Sequence, residues 1–304
     1  MMVYLKPHSS FPPLHSDTIF GSIIYSISQL YPEETLESIV SDFKNINLDP
    51  PFLVSSAFPY IQGTERIRLF PKIIEEPVRA NPEKVKIFKK VDFIEEYIFL
   101  KWTSGDLNEK KIIDNLDDYY LHENMLFMEK PEVQFNRGQI LVPKNSINRL
   151  TNASESIFYA PGDNYHNMGL FFLIKINNRE YQEYIEAAIC FLSDRGFGRD
   201  ISTGNGHFKF EIEDIDIEEI GGDRFVVLSR YIPQNEELKN LSENSWFEIG
   251  SKRGRSSNGE IRKQIRFFNE GSTFKNLNQK FYGKIVESGY KALEYGLAYT
   301  YNMK

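Results

Sequence analysis

Apolar residues recur at helical spacing first between Asp17 and Leu30, where Ile19, Phe20, Ile23, Ile24, Ile27 and Leu30 would share one face. This predicts an amphipathic helix capped by Ser16 or Asp17, preceded by a strand over Met2 to Lys6. A second helix is predicted from Glu33 to Phe43, with Leu36, Ile39, Val40 and Phe43 inward, and Pro50-Pro51 stops it. Residues 52–72 read as short extended pieces. Residues 82–128 read as charged and mostly helical without a shared apolar face, which marks an insertion. Val133 to Pro143 predicts a hairpin turning at Arg137-Gly138. Met168 to Ile176 predicts a buried strand. Arg179 to Leu192 predicts a helix with Tyr181, Ile185, Ala188, Ile189 and Leu192 inside. A glycine-rich segment follows, and then Phe208, Phe210 and Ile212 alternate as in a half-buried strand. Gly221-Gly222 reads as a linker. A strand at Phe225 to Leu228, a short helix near Glu236 to Leu241 and further strand-like pieces complete the chain.

A chain of 304 residues has room for two domains of ordinary size, and 41% hydrophobic with 26% charged residues is a globular balance. The single cysteine, Cys190, cannot form an internal disulfide, and its apolar neighbours Ala187 to Leu192 suggest a buried thiol. The 5 histidines lack zinc-ligand spacing. No apolar run reaches membrane-spanning length, and the N-terminus lacks a signal-peptide pattern. The expectation is a cytoplasmic protein with no membrane segment, metal or cofactor. The net charge is −7, but it is segregated. Seven cations lie between Ile249 and Lys275 against Glu260 and Glu270, whereas Glu211 to Asp223 carries seven acids and no base. A basic face on an acidic protein follows, which suits a nucleic-acid contact made within an assembly.

Four segments carry candidate chemistry. The first holds Gly196, Gly198, Gly204 and Gly206, whose backbone freedom lets successive N–H groups cradle phosphates, with Arg195, Arg199, Ser202, Asn205 and His207 as added donors. It runs from helix to strand and lacks a Gly-Lys-Ser/Thr ending, so it is not a mononucleotide or dinucleotide loop. The second is the polar stretch Pro143 to Thr151, with Asn145, Ser146 and Arg149. The third is the start of the first helix, where free N–H groups attract anions and where His15 and Ser16 stand. His15 could also serve as a general base. The fourth is Gly250 to Ser256, in which Lys252, Arg253 and Arg255 alternate with small residues able to follow a phosphate backbone. Each segment taken alone also fits an ordinary solvated loop or helix cap. No nucleophile or carboxylate pair has spacing that demands catalysis.

In this order the segments resemble the RAMP superfamily of CRISPR proteins, and more closely subunit four of the type III-A Csm effector complex. The matching stretches are Leu14 to Gly21, Arg68 to Lys72, Lys144 to Thr151, Gly196 to Phe208, and Gly271 to Lys275 with Gly283 to Val286. The resemblance implies an α+β fold of two ferredoxin-like (RRM-like) domains. These would span residues 1–220, with a mostly helical insertion at about 75–138, and residues 223–304. It implies a non-catalytic subunit that grips the 5′ repeat-derived tag of the crRNA. Its partners would be the large polymerase-like subunit and the backbone RAMP subunit. The implied RNA contacts are His15, Ser16, Asn145, Ser146, Arg149, Gly196, Gly198, Arg199, Ser202, Gly204, Asn205, Gly206, Lys252, Arg253, Arg255 and Lys275. An RRM-like sheet would add stacking surfaces, and the inserted region around Glu75 to Gly138 would supply a thumb-like hairpin. Two positions depart from the pattern: Asp200 sits inside the glycine loop, and Glu294 stands where a basic residue is expected. Two other readings remain open. One is a metal-independent endoribonuclease that processes CRISPR transcripts with His15 as general base. The other is a protein that binds only fellow subunits.

Overall fold

The computed structural model describes residues 1–304 except 46–48, 199–203, 216–220, 242–243, 255–260 and 290–291. The chain begins with β1 (Met2–Pro7), α1 (Ser16–Leu30), α2 (Glu33–Lys44), β2 (Phe52–Val54), β3 (Phe58–Gln62) and β4 (Arg66–Pro71). Next come α3 (Pro82–Phe88), β5 (Phe93–Glu95), α4 (Glu96–Thr103), α5 (Glu109–Asp114), β6 (Tyr120–His122) and β7 (Met125–Phe127). A long ribbon, β8 (Asn136–Ile147) and β9 (Ser154–His166), leads into β10 (Met168–Ile176), α6 (Gln182–Arg195) and β11 (Phe208–Glu213). The remainder holds β12 (Arg224–Val227), α7 (Asn235–Lys239), β13 (Ile249–Lys252), β14 (Ile265–Phe268), β15 (Thr273–Lys275), β16 (Val286–Gly289), β17 (Ala292–Glu294) and β18 (Thr300–Met303).

The fold is a mixed α/β arrangement. Its main sheet runs β11-β1-β10-β3-β4-β5-β7-β6, with β2 also paired to β10. β1 lies between two antiparallel neighbours, with Met2 opposite Leu173 on one side and Glu213 on the other. One face is covered by α1 and α6, which pack side by side. Their period fixes which residues go in: Ile19, Phe20, Ile23 and Ile27 from α1, and Ile185, Ala188, Ile189 and Leu192 from α6. Leu30, expected inside, is exposed at the end of α1. Cys190 is exposed too, contrary to the buried thiol read from its neighbours, because it falls off the stripe that Ile185, Ala188, Ile189 and Leu192 define. Native protein is therefore expected to react with a thiol-specific reagent about as fast as urea-unfolded protein. Strong protection in the native state would contradict that placement.

The opposite face does not offer the stacking surface expected of an RRM-like sheet. Tyr4 and Tyr60 meet edge to face at 5.1 Å, and the Arg66 guanidinium lies 4.2 Å over Tyr4. Glu211 and Glu213 hold that guanidinium in place, so both tyrosines are buried beneath it. Burial pushes the Tyr60 hydroxyl up to about 12.

The inserted region carries α3, α4 and α5, but also β5, β6 and β7, which lengthen the main sheet. The hairpin expected at Arg137-Gly138 turns elsewhere. Both residues lie inside β8, opposite Tyr165 and Asn164. The reversal comes at residues 148–153, where Asn148 Oδ1 accepts the N–H groups of Leu150 (2.9 Å) and Thr151 (3.3 Å), and Asn152 takes φ 53°. This is turn chemistry that asparagine supplies from its own side chain.

In the last third, β12 pairs with β15 and β18. A separate apolar cluster forms around Phe225, Tyr231, Phe274 and Tyr282. The two parts of the chain are nevertheless joined through one core. Tyr295 packs 4.8 Å from Phe20, and the Val54 N–H donates to its hydroxyl at 2.8 Å. Among the described residues, no helix is long and apolar enough to cross a membrane.

Candidate nucleic-acid interface

The start of α1 is built into the junction between the two parts. His15 is the N-cap residue, with extended backbone (φ −87°, ψ 160°). Its carbonyl accepts the N–H groups of Thr18 and Ile19. Ser16 is wholly buried. Its N–H donates to Ser56 Oγ at 2.9 Å, and its own Oγ accepts the Arg230 N–H at 3.0 Å. Both polar groups of Ser16 are thus engaged inside the protein, where the expectation had them facing RNA. His15 Nδ1 lies 3.0 Å from Glu270 Oε1, and Ser56 donates its hydroxyl to the same oxygen. Burial works to raise the Glu270 carboxyl, but the bonds from His15 and Ser56 outweigh it and hold the group below the usual range. His15 opens onto a pocket of about 300 Å³ shared with Lys72, Lys89, Arg137 and Tyr165.

Asp17, next along, anchors an ion-pair chain. Arg230 Nη1 approaches it at 3.3 Å, and Lys252 Nζ bridges it to Glu294. Arg262 Nη1 meets Glu294 at 2.7 Å, and Ser288 adds a hydroxyl at 2.8 Å. Burial again works to raise the Asp17 carboxyl, but Lys252 and Arg230 prevail and keep it low. Lys252, expected to be an RNA contact, is first of all a link in this chain. Glu294, the departure noted in the sequence, is the acid that Lys252 and Arg262 require. Arg253 and Lys275 are exposed, and Arg255 lies outside the described residues.

In the glycine loop, Gly196, Gly198, Gly204 and Gly206 all take positive φ, between 77° and 94°. The loop closes on itself. Phe197 N–H donates to the Gly206 carbonyl at 2.9 Å, Gly206 N–H donates to Ser10, and Gly196 N–H donates to Leu192. Those three amides cannot also hold phosphates, which narrows the expectation of a continuous amide cradle. Phe197 pins the loop by stacking on Phe208 at 5.1 Å. A Cβ on Gly206 would stand 2.0 Å from the Phe197 oxygen, whereas one on Gly204 would meet nothing within 4 Å. Gly204 is exposed and Asn205 partly so. Arg199 and Ser202 lie outside the described residues.

Asn145, Ser146 and Arg149 sit on the distal half of the ribbon, away from α1. Twelve residues of β8 extend it by about 40 Å. The pairing puts Leu141, Pro143, Asn145, Ile147, Ile157 and Tyr159 on one side and Ser146 on the other. Ile157 is 68% exposed, Tyr159 64% and Leu150, at the tip, 95%. Asn145 Oδ1 accepts the Ser154 hydroxyl at 2.7 Å.

The fold does bring three of the four segments together. Asp17, Thr18, Gly21, Ser22 and Tyr25 of α1, Arg195, Gly196 and Gly198 of the glycine loop, and Lys252, Arg262 and Glu294 line one cleft of about 480 Å³. Tyr25 and Arg262 were not singled out in the sequence. Only the helical period relates Tyr25 to Asp17, and nothing local relates Arg262 to either.

No family model matches the chain. It is similar to the CRISPR system protein Csm4 of Thermococcus onnurineus, with 27% identity over 90% of this chain and 86% of the relative. Among solved structures it resembles a chain of a Csm3–Csm4 subcomplex of a type III-A CRISPR-Cas interference complex. That match has a TM-score of 0.74 and 22% identity, covering 100% of this chain and 99% of that one. It also resembles a chain of a Csm1–Csm4 cassette in complex with pppApA, with a TM-score of 0.63 and 20% identity, covering 100% and 97%. At those identities the structural likeness is one of fold. The resemblance to the Csm4 group of RAMP proteins, drawn from the sequence motifs, is borne out.

Proposed function

We propose that this Csm4-like chain is a non-catalytic subunit of a type III-A CRISPR effector complex, working in the cytoplasm. It holds the 5′ repeat-derived tag of the crRNA and joins the large polymerase-like subunit to the RAMP backbone. The observation that carries the reading is the convergence of the α1 start, the glycine loop and the β13–β14 cations on one cleft. Proteins position RNA by meeting its phosphates with cations and backbone N–H groups, and they read unstacked bases on aromatic or guanidinium planes. The ribbon from β8 to β9 suits the thumb of this reading, since its apolar side and Leu150 tip can wedge between bases. The strand order β11-β1-β10-β3, with α1 and α6 on one face, supports a first ferredoxin-like domain within residues 1–220. Residues 223–304 form the proposed second. Its partners are the large subunit and the backbone subunit, in keeping with the assemblies in which its structural relatives were solved.

The test is nuclease protection of the guide. The tag is expected to be protected in the complete complex and digested in one assembled without this chain. Equal protection in both would contradict the reading.

One observation favours a second reading, in which the chain is a metal-independent endoribonuclease. A histidine whose Nδ1 is held by a buried carboxylate has the orientation a general base needs, and His15–Glu270 provides it. Pure protein is expected to leave repeat RNA intact in EDTA. A specific cut that His15→Ala abolishes would replace the first reading with this one.

A further inference from the structure

The cleft contains an element that gripping a backbone does not require. Tyr25, on the outer side of α1, is 43% exposed, and the Arg195 guanidinium lies 5.4 Å from its ring centroid. Phe191, one turn earlier on α6, supports the same guanidinium at 5.9 Å. Among the described residues, no carboxylate pairs with Arg195. Its guanidinium is a planar cation set on aromatic rings. Guanidinium planes and aromatic rings are the surfaces on which unstacked RNA bases lie.

The rest of the cleft suits the phosphate of the same nucleotide. Lys252 and Arg262 line it beside Asp17 and Glu294, the acids that hold them, whose side chains are each only 5% exposed and so show little of their charge to the opening. The Nε–H of Arg262 is buried and meets no acceptor among the described residues. Gly196 and Gly198 bring bare backbone to the wall. A volume of about 480 Å³ admits one nucleotide, not a duplex.

Resting on the function proposed above, we infer that this cleft is a single-nucleotide site. It takes one unstacked base of the bound RNA on the Arg195–Tyr25 pair, with the adjoining phosphate at Lys252 and Arg262. Asp17 and Glu294 act as positioning residues that hold the two cations in place before RNA arrives. The site would fix the register of the RNA on the subunit, because one base enters the cleft and its neighbours cannot.

The experiment places 2-aminopurine at one tag position at a time in guide RNA assembled into the complex. Stacking quenches its fluorescence. One position is expected to be quenched in a way that depends on Tyr25. Tyr25→Ala restores its fluorescence and weakens tag binding about tenfold. Tyr25→Phe keeps both within about twofold, because the ring is retained. Arg195→Met restores fluorescence at the same position and at no other. If guide RNA stays bound but no position responds to Tyr25→Ala, the single-nucleotide site is overturned while the proposed function stands. If the wild-type complex assembles without tag RNA, the proposed function fails, and this site with it.

Discussion

Asp17→Ala is expected to cost about 3–5 kcal/mol of folding stability, the largest loss from any single side chain in the cleft. Asp17 is 5% exposed and faces both Arg230 and Lys252. Removing it leaves two neighbouring cations, 17% and 27% exposed, without their shared acid, and only Lys252 keeps a second one in Glu294. Urea unfolding of the variant against wild type measures the loss. A change below about 1 kcal/mol, the value of an exposed pair, would show that the network is solvated. The same group makes stability depend on pH. The folded state holds the Asp17 and Glu270 carboxyls below their ordinary values. Their contribution is therefore complete above the unfolded value of about 4 and is lost as the pH falls through the folded values. Wild type is expected to lose stability with acid more steeply than Asp17→Asn below about pH 4. Parallel curves would contradict this.

Gly204→Asp is expected to lower guide RNA occupancy about tenfold or more while leaving the protein folded. Gly204 sits at φ 86° with open space around it, and aspartate tolerates positive φ better than most residues. The new carboxylate would stand on the loop surface proposed to face phosphates. Gly206→Val makes the contrast. Its Cβ would meet the Phe197 oxygen at 2.0 Å, so the loop could not close and the Phe197–Phe208 stack would be disturbed. That variant should lower the melting temperature, whereas Gly204→Asp should not. Full occupancy in folded Gly204→Asp would remove the loop from the RNA contact. Occupancy measured by extracting RNA from purified complex, beside a melting curve for each variant, separates the two effects.

The parts of the fold that could be read from the sequence are those in which burial imposes a period. The inner faces of α1 and α6 follow from apolar spacing, as does the buried run of β10. The turn of the β8–β9 ribbon did not follow, because the ribbon stands away from the core and burial sets no alternation on it. The signal was present in Asn148 and Asn152, two residues suited to a turn, rather than in Gly138. The exposure of Cys190 was also legible, since helical spacing from Ile185 and Ile189 places it off the inner stripe. The partnership of Lys252 with Asp17 and Glu294 was not legible. Those residues are distant in the chain, and only the docking of β13 and β17 against α1 brings them together. The sealing of Tyr4 and Tyr60 by Arg66 was hidden in the same way, because it needs the register of β11 beside β1.

These placements change the character of the proposed interface. Ser16 and Lys252 serve the junction first, and three loop amides serve the loop. What is left for RNA is the exposed tip at Gly204 and Asn205, the cleft at Tyr25 and Arg195 with the cleft-facing sides of Lys252 and Arg262, the cations Arg253 and Lys275, and the ribbon. An acidic protein with this limited basic strip should hold RNA best when partner subunits complete the groove.

The most direct test of the central claim is to purify the tagged protein from its own cells under native conditions and to sequence the RNA that accompanies it. The account predicts short RNAs sharing one repeat-derived 5′ end, recovered together with a large polymerase-like subunit and a backbone RAMP subunit. Protein recovered with those subunits but with no RNA, or with RNA lacking a common 5′ end, would contradict it.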